Sequence, residues 1–220
     1  MDRVGDIFTE VDEDVRRDQV IRLWKRYGRY FVALLVIIVV GTGGNVAWNH
    51  MKTKRIMADG SKFSAAVNLV QNGEYEQAAL RFSEQIANSG AGYSQLARLQ
   101  KAAALIAIDD HTGAISIYDS LADTPSTDRT IADLAVILGG IHRIDADRAD
   151  EATARLLELS EGKGPWRHLA RETRALALLK SGNEREAREL LASLVGDPTS
   201  PPGIRSRATA ILGTLSPNPS

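Results

Sequence analysis

Cysteine is absent from the chain. That excludes a disulfide framework, thiol catalysis and thiolate metal sites, while leaving the compartment open. Aromatic residues are scarce, 5% of 220, against abundant Ala and Leu, a balance that favours helix over sheet. Charge of one sign is not in excess. The 27 cations and 28 anions leave a formal net charge of −1, so nothing suggests bulk attraction to nucleic acid or to acidic surfaces.

The motifs of catalysis are also thin. The four histidines are His50, His111, His142 and His168; no two share a helix face at ligand spacing, and HExxH does not occur. "DDH" at Asp109 to His111 can be drawn as a ligand cluster, but it falls at a turn, where polar residues belong anyway. "EGKGPW" at 161–166 shares only a Gly-Lys pair with a phosphate loop, and "GTGG" at 41–44 lacks a dinucleotide fingerprint. No GxSxG supports a hydrolase. The expectation is no enzyme, no cofactor, no metal, no nucleic acid and no small-molecule substrate.

What is present begins with a long uncharged run. From Tyr30 to Met51 no residue is charged, and "FVALLVIIVV" holds ten apolar residues in succession. As a helix this stretch rises about 33 Å, close to the ~30 Å hydrocarbon core of a bilayer. Tyr27, Tyr30 and Trp48 fall near its ends, where amphipathic rings favour the interface. A buried core helix would instead show polar residues every third or fourth position. A cleaved signal is the other alternative, since Gly41 to Gly43 offers small residues at peptidase spacing. Against it stand the seven acids in the first 30 residues and the apolar "NVAW" beyond the cut. The reading is a single transmembrane helix over 30–51. Six cations precede it (Arg16, Arg17, Arg22, Lys25, Arg26, Arg29) and four follow (Lys52, Lys54, Arg55, Lys62), a bias towards N-inside and C-outside. In a bacterial cell, residues 1–29 are then a cytoplasmic juxtamembrane arm, with Val11, Val15, Ile21 and Trp24 partly on one side of an amphipathic helix.

Beyond the anchor a pattern recurs four times: "NGEYEQAALRF" at 72–82, "DHTGAISIYDSL" at 110–121, "DRADEATARLLEL" at 147–159 and "GNEREARELLASL" at 182–194. Each is a polar turn, a small Ala (Ala78, Ala114, Ala152, Ala187) and large apolar residues three or four positions on. The Ala spacings are 36, 38 and 35, from those positions. Another helix-like run precedes each: "SKFSAAVNLVQ", "YSQLARLQKAAALIAI", "RTIADLAVILGGIH" and "WRHLARETRALALLK". A helix–turn–helix unit of this period is the signature of a tetratricopeptide-type α-solenoid. Gly73 and Gly182 suit tight inter-helix turns, and Pro165 suits the first turn of a helix. "IRSRATAILGTL" after "DPTSPPG" predicts a lone capping helix. Departures from the repeat are plain: the usual first-helix aromatic is missing, and Arg98, Lys101 and Arg174 fall where apolar side chains are normally buried. The fold predicted is all-α, with about four helix pairs and a C-terminal cap over 52–215 and a disordered tail at 216–220.

"EVDEDVRRDQVIRLWKRYGRY", the apolar anchor, the degenerate repeats and "GPWRHLARE" together resemble the YfgM-like tetratricopeptide repeat family, and the "LWKRYG" opening resembles its alphaproteobacterial branch. The order of features carries the likeness, which spans most of the chain. Members are ancillary subunits of the SecYEG translocon, and their repeat region is shared with a cell-division coordinator. The resemblance implies an inner-membrane protein with a periplasmic repeat domain. Its partners would be translocon subunits, periplasmic chaperones or unfolded client chains. A division or envelope-assembly scaffold using the same groove is the alternative. "PWRHLARE" at 165–172 is the most distinctive local sequence; Trp166, Arg167 and Arg171, with His168, are candidates for a contact patch. The competing reading packs Trp166 at an inter-repeat junction and leaves the two arginines solvated.

Overall fold

The computed structural model describes residues 4–215, with side-chain surroundings given for 24–26, 30 and 40–215. Its helices are α1 (Val4–Gln71), α2 (Tyr75–Asn88), α3 (Ala91–Ala107), α4 (His111–Asp123), α5 (Arg129–Asp145), α6 (Ala149–Glu161), α7 (Arg167–Lys180), α8 (Glu184–Gly196) and α9 (Pro202–Thr214). No strand occurs among the described residues. Two units are distinguished, Met1–Met57 and Ala58–Ser220.

The first unit is helical from Val4 onward. Among the described residues no helix is long and apolar enough to cross a membrane. The most apolar part of the expected span, residues 31–39, lies outside the residues whose side chains are described. So do Val11, Val15 and Ile21 of the arm, and the tail at 216–220 lies outside the described residues altogether. Trp48 and Met51 are exposed.

The second unit begins at Ala58, and the first helix of its first pair is the closing part of α1. Four pairs follow: the end of α1 with α2, then α3–α4, α5–α6 and α7–α8, with α9 last. The turn inside each pair is built the same way. One residue takes a left-handed conformation: Gly73 (φ 80°), Asp109 (φ 66°), Asp147 (φ 56°) and Gly182 (φ 83°). Its N–H and that of the next residue both bond back to the closing turn of the preceding helix. Gly182 donates to the Leu179 carbonyl at 3.1 Å, and Asn183 to that of Leu178 at 2.8 Å. This double bond-back satisfies carbonyls that a helix end leaves without partners. Glycine takes the conformation without steric penalty, and Asp is one of the few other residues that visits it.

Five positions after each left-handed residue stands the recurrent Ala. Ala78, Ala114, Ala152 and Ala187 are all 0% exposed, so each lies at a packed crossing where a larger side chain would force the helices apart. Larger residues fill the space around them: Phe82 in the first pair, Tyr118 and Leu121 in the second, Leu156 in the third, and Leu191 and Leu194 in the fourth. Burying one such side chain contributes about 1.5–3 kcal/mol, which is what holds each pair to its neighbours. Successive helices pack on one another along the stack, and α7 also meets α5 and α9. The cap α9 has Pro202 at its start and sets Ile204 and Ala208 on the cluster of Leu191 and Leu194.

One boundary differs from expectation. Pro165 lies in a turn ahead of α7 rather than in its first turn, and the Arg167 N–H reaches back to the Gly164 carbonyl at 3.2 Å. The ring still does no harm there, because that position needs no N–H donor.

Candidate protein-binding face

Long cationic side chains couple repeat to repeat, among them Arg174, which sequence reasoning left as an anomaly. Arg174 is only 9% exposed; its guanidinium bonds to Glu186 of α8 at 2.6 Å and to the Ser160 hydroxyl of α6 at 3.4 Å. A buried cation is tolerated where it is paired and hydrogen-bonded in this way. Arg143 in α5 meets Asp119 of α4 at 2.6 Å, and Arg155 of α6 meets Asp119 at 3.9 Å and also Asp123. Arg207 of the cap grips Glu172 of α7 with two bonds, each 2.6 Å. That paired geometry holds the Arg207 guanidinium charge firmly, raising its pKa chiefly through the hydrogen bonds to Glu172. Arg98 and Lys101 are half-buried.

The helices divide into two series. The backbones of α5, α7 and α9 approach one another directly, whereas α4 and α6 meet through long side chains such as Arg155. The side on which backbones come together is the shorter, inner one, so α5, α7 and α9 present the inner face of this part of the stack. A stack of this kind offers an extended surface to a peptide, a helix or a folded partner.

The candidate patch near Trp166 is engaged internally. Trp166 packs beside Ile137, Leu156 and Leu159, at the junction of the third and fourth pairs. Arg167 donates to the Thr199 hydroxyl at 2.8 Å, and Arg171 to the Ser160 carbonyl at 2.7 Å. Buried His168 lies 3.4 Å from the same Thr199 hydroxyl and 3.8 Å from Asp197. Together these side chains tie the 197–200 loop to α7. Hydrogen bonds from the Thr199 hydroxyl and N–H hold the Asp197 carboxyl below its usual range, whereas burial, with Arg167 adding to it, pushes the His168 imidazole down.

A second histidine placement was not visible from spacing along one helix. His111 opens α4 and His142 lies near the end of α5, yet their rings are 6.0 Å apart, with Tyr118 stacked on His142 at 5.9 Å. His111 also meets Asp109 at 3.2 Å. Among the described residues no group of three or more His, Asp or Glu is placed to hold a metal.

Cavities open on the second unit. One of about 360 Å³ lies among α4, α5 and α6, with Thr124, Asp133 and Arg155 on its walls. Another, about 580 Å³, lies between the end of α1 and α2, walled by Lys62, Ala66, Leu69, Arg81 and Gln85. Gln85 is a residue that pattern reading passed over. Seven positions after the recurrent Ala the other repeats carry Leu121, Leu159 and Leu194, and the first carries Gln.

Comparison with known proteins places these features in a family. The model of the tetratricopeptide repeat-like domain matches residues 22–192. No curated protein and no solved structure matches the chain. The match takes in all four helix pairs up to the closing residues of α8, and domains of this kind are in general scaffolds without catalysis. The chain therefore belongs to the tetratricopeptide repeat-like domain family.

Proposed function

We propose that this protein is a membrane-anchored scaffold whose repeat domain binds other proteins beside the bacterial inner membrane. The observation that carries the protein-binding part is the stack itself. Helix pairs joined by one repeated turn leave α5, α7 and α9 to line an inner face, and domains of this family commonly serve protein contacts. The anchor rests on the uncharged run from Tyr30 to Met51 and on the unequal cations flanking it. With that orientation the repeats stand in the periplasm, and tethering raises their local concentration beside a membrane partner. The likeness to YfgM-like proteins makes the translocon, a periplasmic chaperone or a newly translocated chain the partner.

The test is capture of the full-length chain after mild solubilisation, with identification of co-purified proteins by mass spectrometry. Translocon subunits and periplasmic chaperones are the expected result. Division and wall-synthesis proteins in their place would move the protein to the alternative role on the same domain. A substrate-like small molecule with no protein partner would reject the scaffold reading.

A further inference from the structure

Laid on one another by their left-handed residues, the four repeats agree at a buried position that in three of them is leucine. Leu121, Leu159 and Leu194 are 0%, 9% and 0% exposed, and Gln85, their counterpart, is 3% exposed. Its Nε2 donates to the Asp59 carbonyl at 2.7 Å, which fixes the amide's orientation. The Oε1 that remains is buried without a partner. An acceptor in that condition calls for a donor, and Gln85 lies in the wall of the 580 Å³ cavity between α1 and α2.

The same groove is filled in later repeats, and the filling shows what it accepts. By repeat register, Lys62, Ala65 and Arg81 correspond to Val136, Gly139 and Arg155 of the third repeat. There α4, the second helix of the preceding repeat, lies across the groove. A Cβ on Gly139 would stand 3.3 Å from that of Tyr118, and Arg155 takes Asp119 and Asp123, one helical turn apart. In the fourth repeat Arg171 and Arg174, the counterparts of Lys62 and Ala65, bond to Ser160 of α6. In the first repeat Ala65 is exposed although Gly139 and Arg174 are buried. The Arg81 side chain is 64% exposed, against 35% for Arg155, and it pairs with Glu84 of its own helix. Lys62 and Arg81 against Glu84 leave the groove cationic.

We propose that the groove between the end of α1 and α2 docks an amphipathic helix of a partner protein. That helix bears two carboxylates one turn apart and takes the place of a preceding repeat's second helix. One carboxylate meets Arg81 as Asp119 and Asp123 meet Arg155, and a side-chain N–H or O–H of the incoming helix supplies the donor for Gln85 Oε1. A second copy of the chain is a poorer occupant, because its α2, α4, α6 and α8 are each packed within their own stack. The proposal rests on the reading of this domain as a protein-binding scaffold.

The probe is a helix-constrained peptide with the α4 sequence, residues 111–123, the natural occupant of the equivalent groove. It is titrated against the full-length chain in mild detergent by fluorescence anisotropy. Saturable one-to-one binding is expected, weakened at least fivefold by Asp119→Asn with Asp123→Asn in the peptide, and by Arg81→Gln in the chain. Gln85→Leu, which makes the first repeat like the others, should weaken binding while raising the unfolding temperature; circular dichroism confirms that both variants fold. No binding, or binding unchanged by Arg81→Gln and Gln85→Leu, overturns the proposal. A dimer of the full-length chain that Arg81→Gln dissociates also overturns it, by naming a second copy as occupant. If the captured partners are retained equally by Arg81→Gln, the groove assignment fails and the scaffold reading stands.

Discussion

Single residues here show what a pattern reading reaches and what it cannot. Gly73 and Gly182 announced their turns, because glycine is the usual residue for a left-handed helix end. Asp109 and Asp147 do the same job at the two middle turns, but an Asp in a polar stretch carries no such signal. The pairing of His111 with His142 was equally hidden, since 31 positions separate them and only the packing of α4 on α5 brings the rings together. His142 and His168 lead to a prediction about pH. Burial is the main cause that lowers both imidazoles below their ordinary value; at His142 Asp145 offsets it in part and His111 adds to it. Both are therefore neutral in the fold over a range where the unfolded chain takes up protons, so stability rises with pH in that range. The contribution is complete above the unfolded value of about 6.5 and is lost as pH falls below it through the lower folded values. The unfolding temperature should be flat from pH 8 to 7 and should fall by pH 5.5, with His168→Gln removing part of the slope. A midpoint unchanged between pH 7.5 and 5.5 would show that neither ring is shielded as described.

At the level of helices, period was the informative signal. Small Ala residues at intervals of 36, 38 and 35 located all four second helices, and each of those residues is fully buried. The first helices were harder to judge because Arg174 occupies a core position, where its partners Glu186, Glu161 and Ser160 make it tolerable. Nor did composition announce that the first helix of the first pair belongs to α1. The close approach at Ala187 gives a direct test. Ala187→Leu should overpack the contact of α7 with α8 at a cost of about 1–3 kcal/mol, a large part of the ~5–15 kcal/mol that stabilises a typical domain. Because each pair leans mainly on its neighbours, the loss should stay local. Hydrogen exchange should quicken first across residues 165–215, with 60–120 less affected. Unchanged exchange would mean that Ala187 does not sit at a packed crossing.

For the whole molecule, the topology proposal depends on a feature of the sequence alone, the uncharged run with six cations before it and four after. A reporter active only in the periplasm, fused after Leu215, should be on in bacterial cells, and its cytoplasmic counterpart silent. The reverse pattern would sink the orientation, and the periplasmic role with it. The stack in the second unit also has a mechanical character. Toward its C-terminal end the backbones of α5, α7 and α9 form a continuous seam, riveted by the double grip of Arg207 on Glu172. Toward its beginning Phe63 of α1 lies against Tyr93 of α3, ring centroids 5.8 Å apart. The double grip of Arg207 clamps the cap to α7 by charge as well as by packing. A pull on the C-terminal helix would therefore have to break two parallel charged bonds before α9 could peel from the fourth pair.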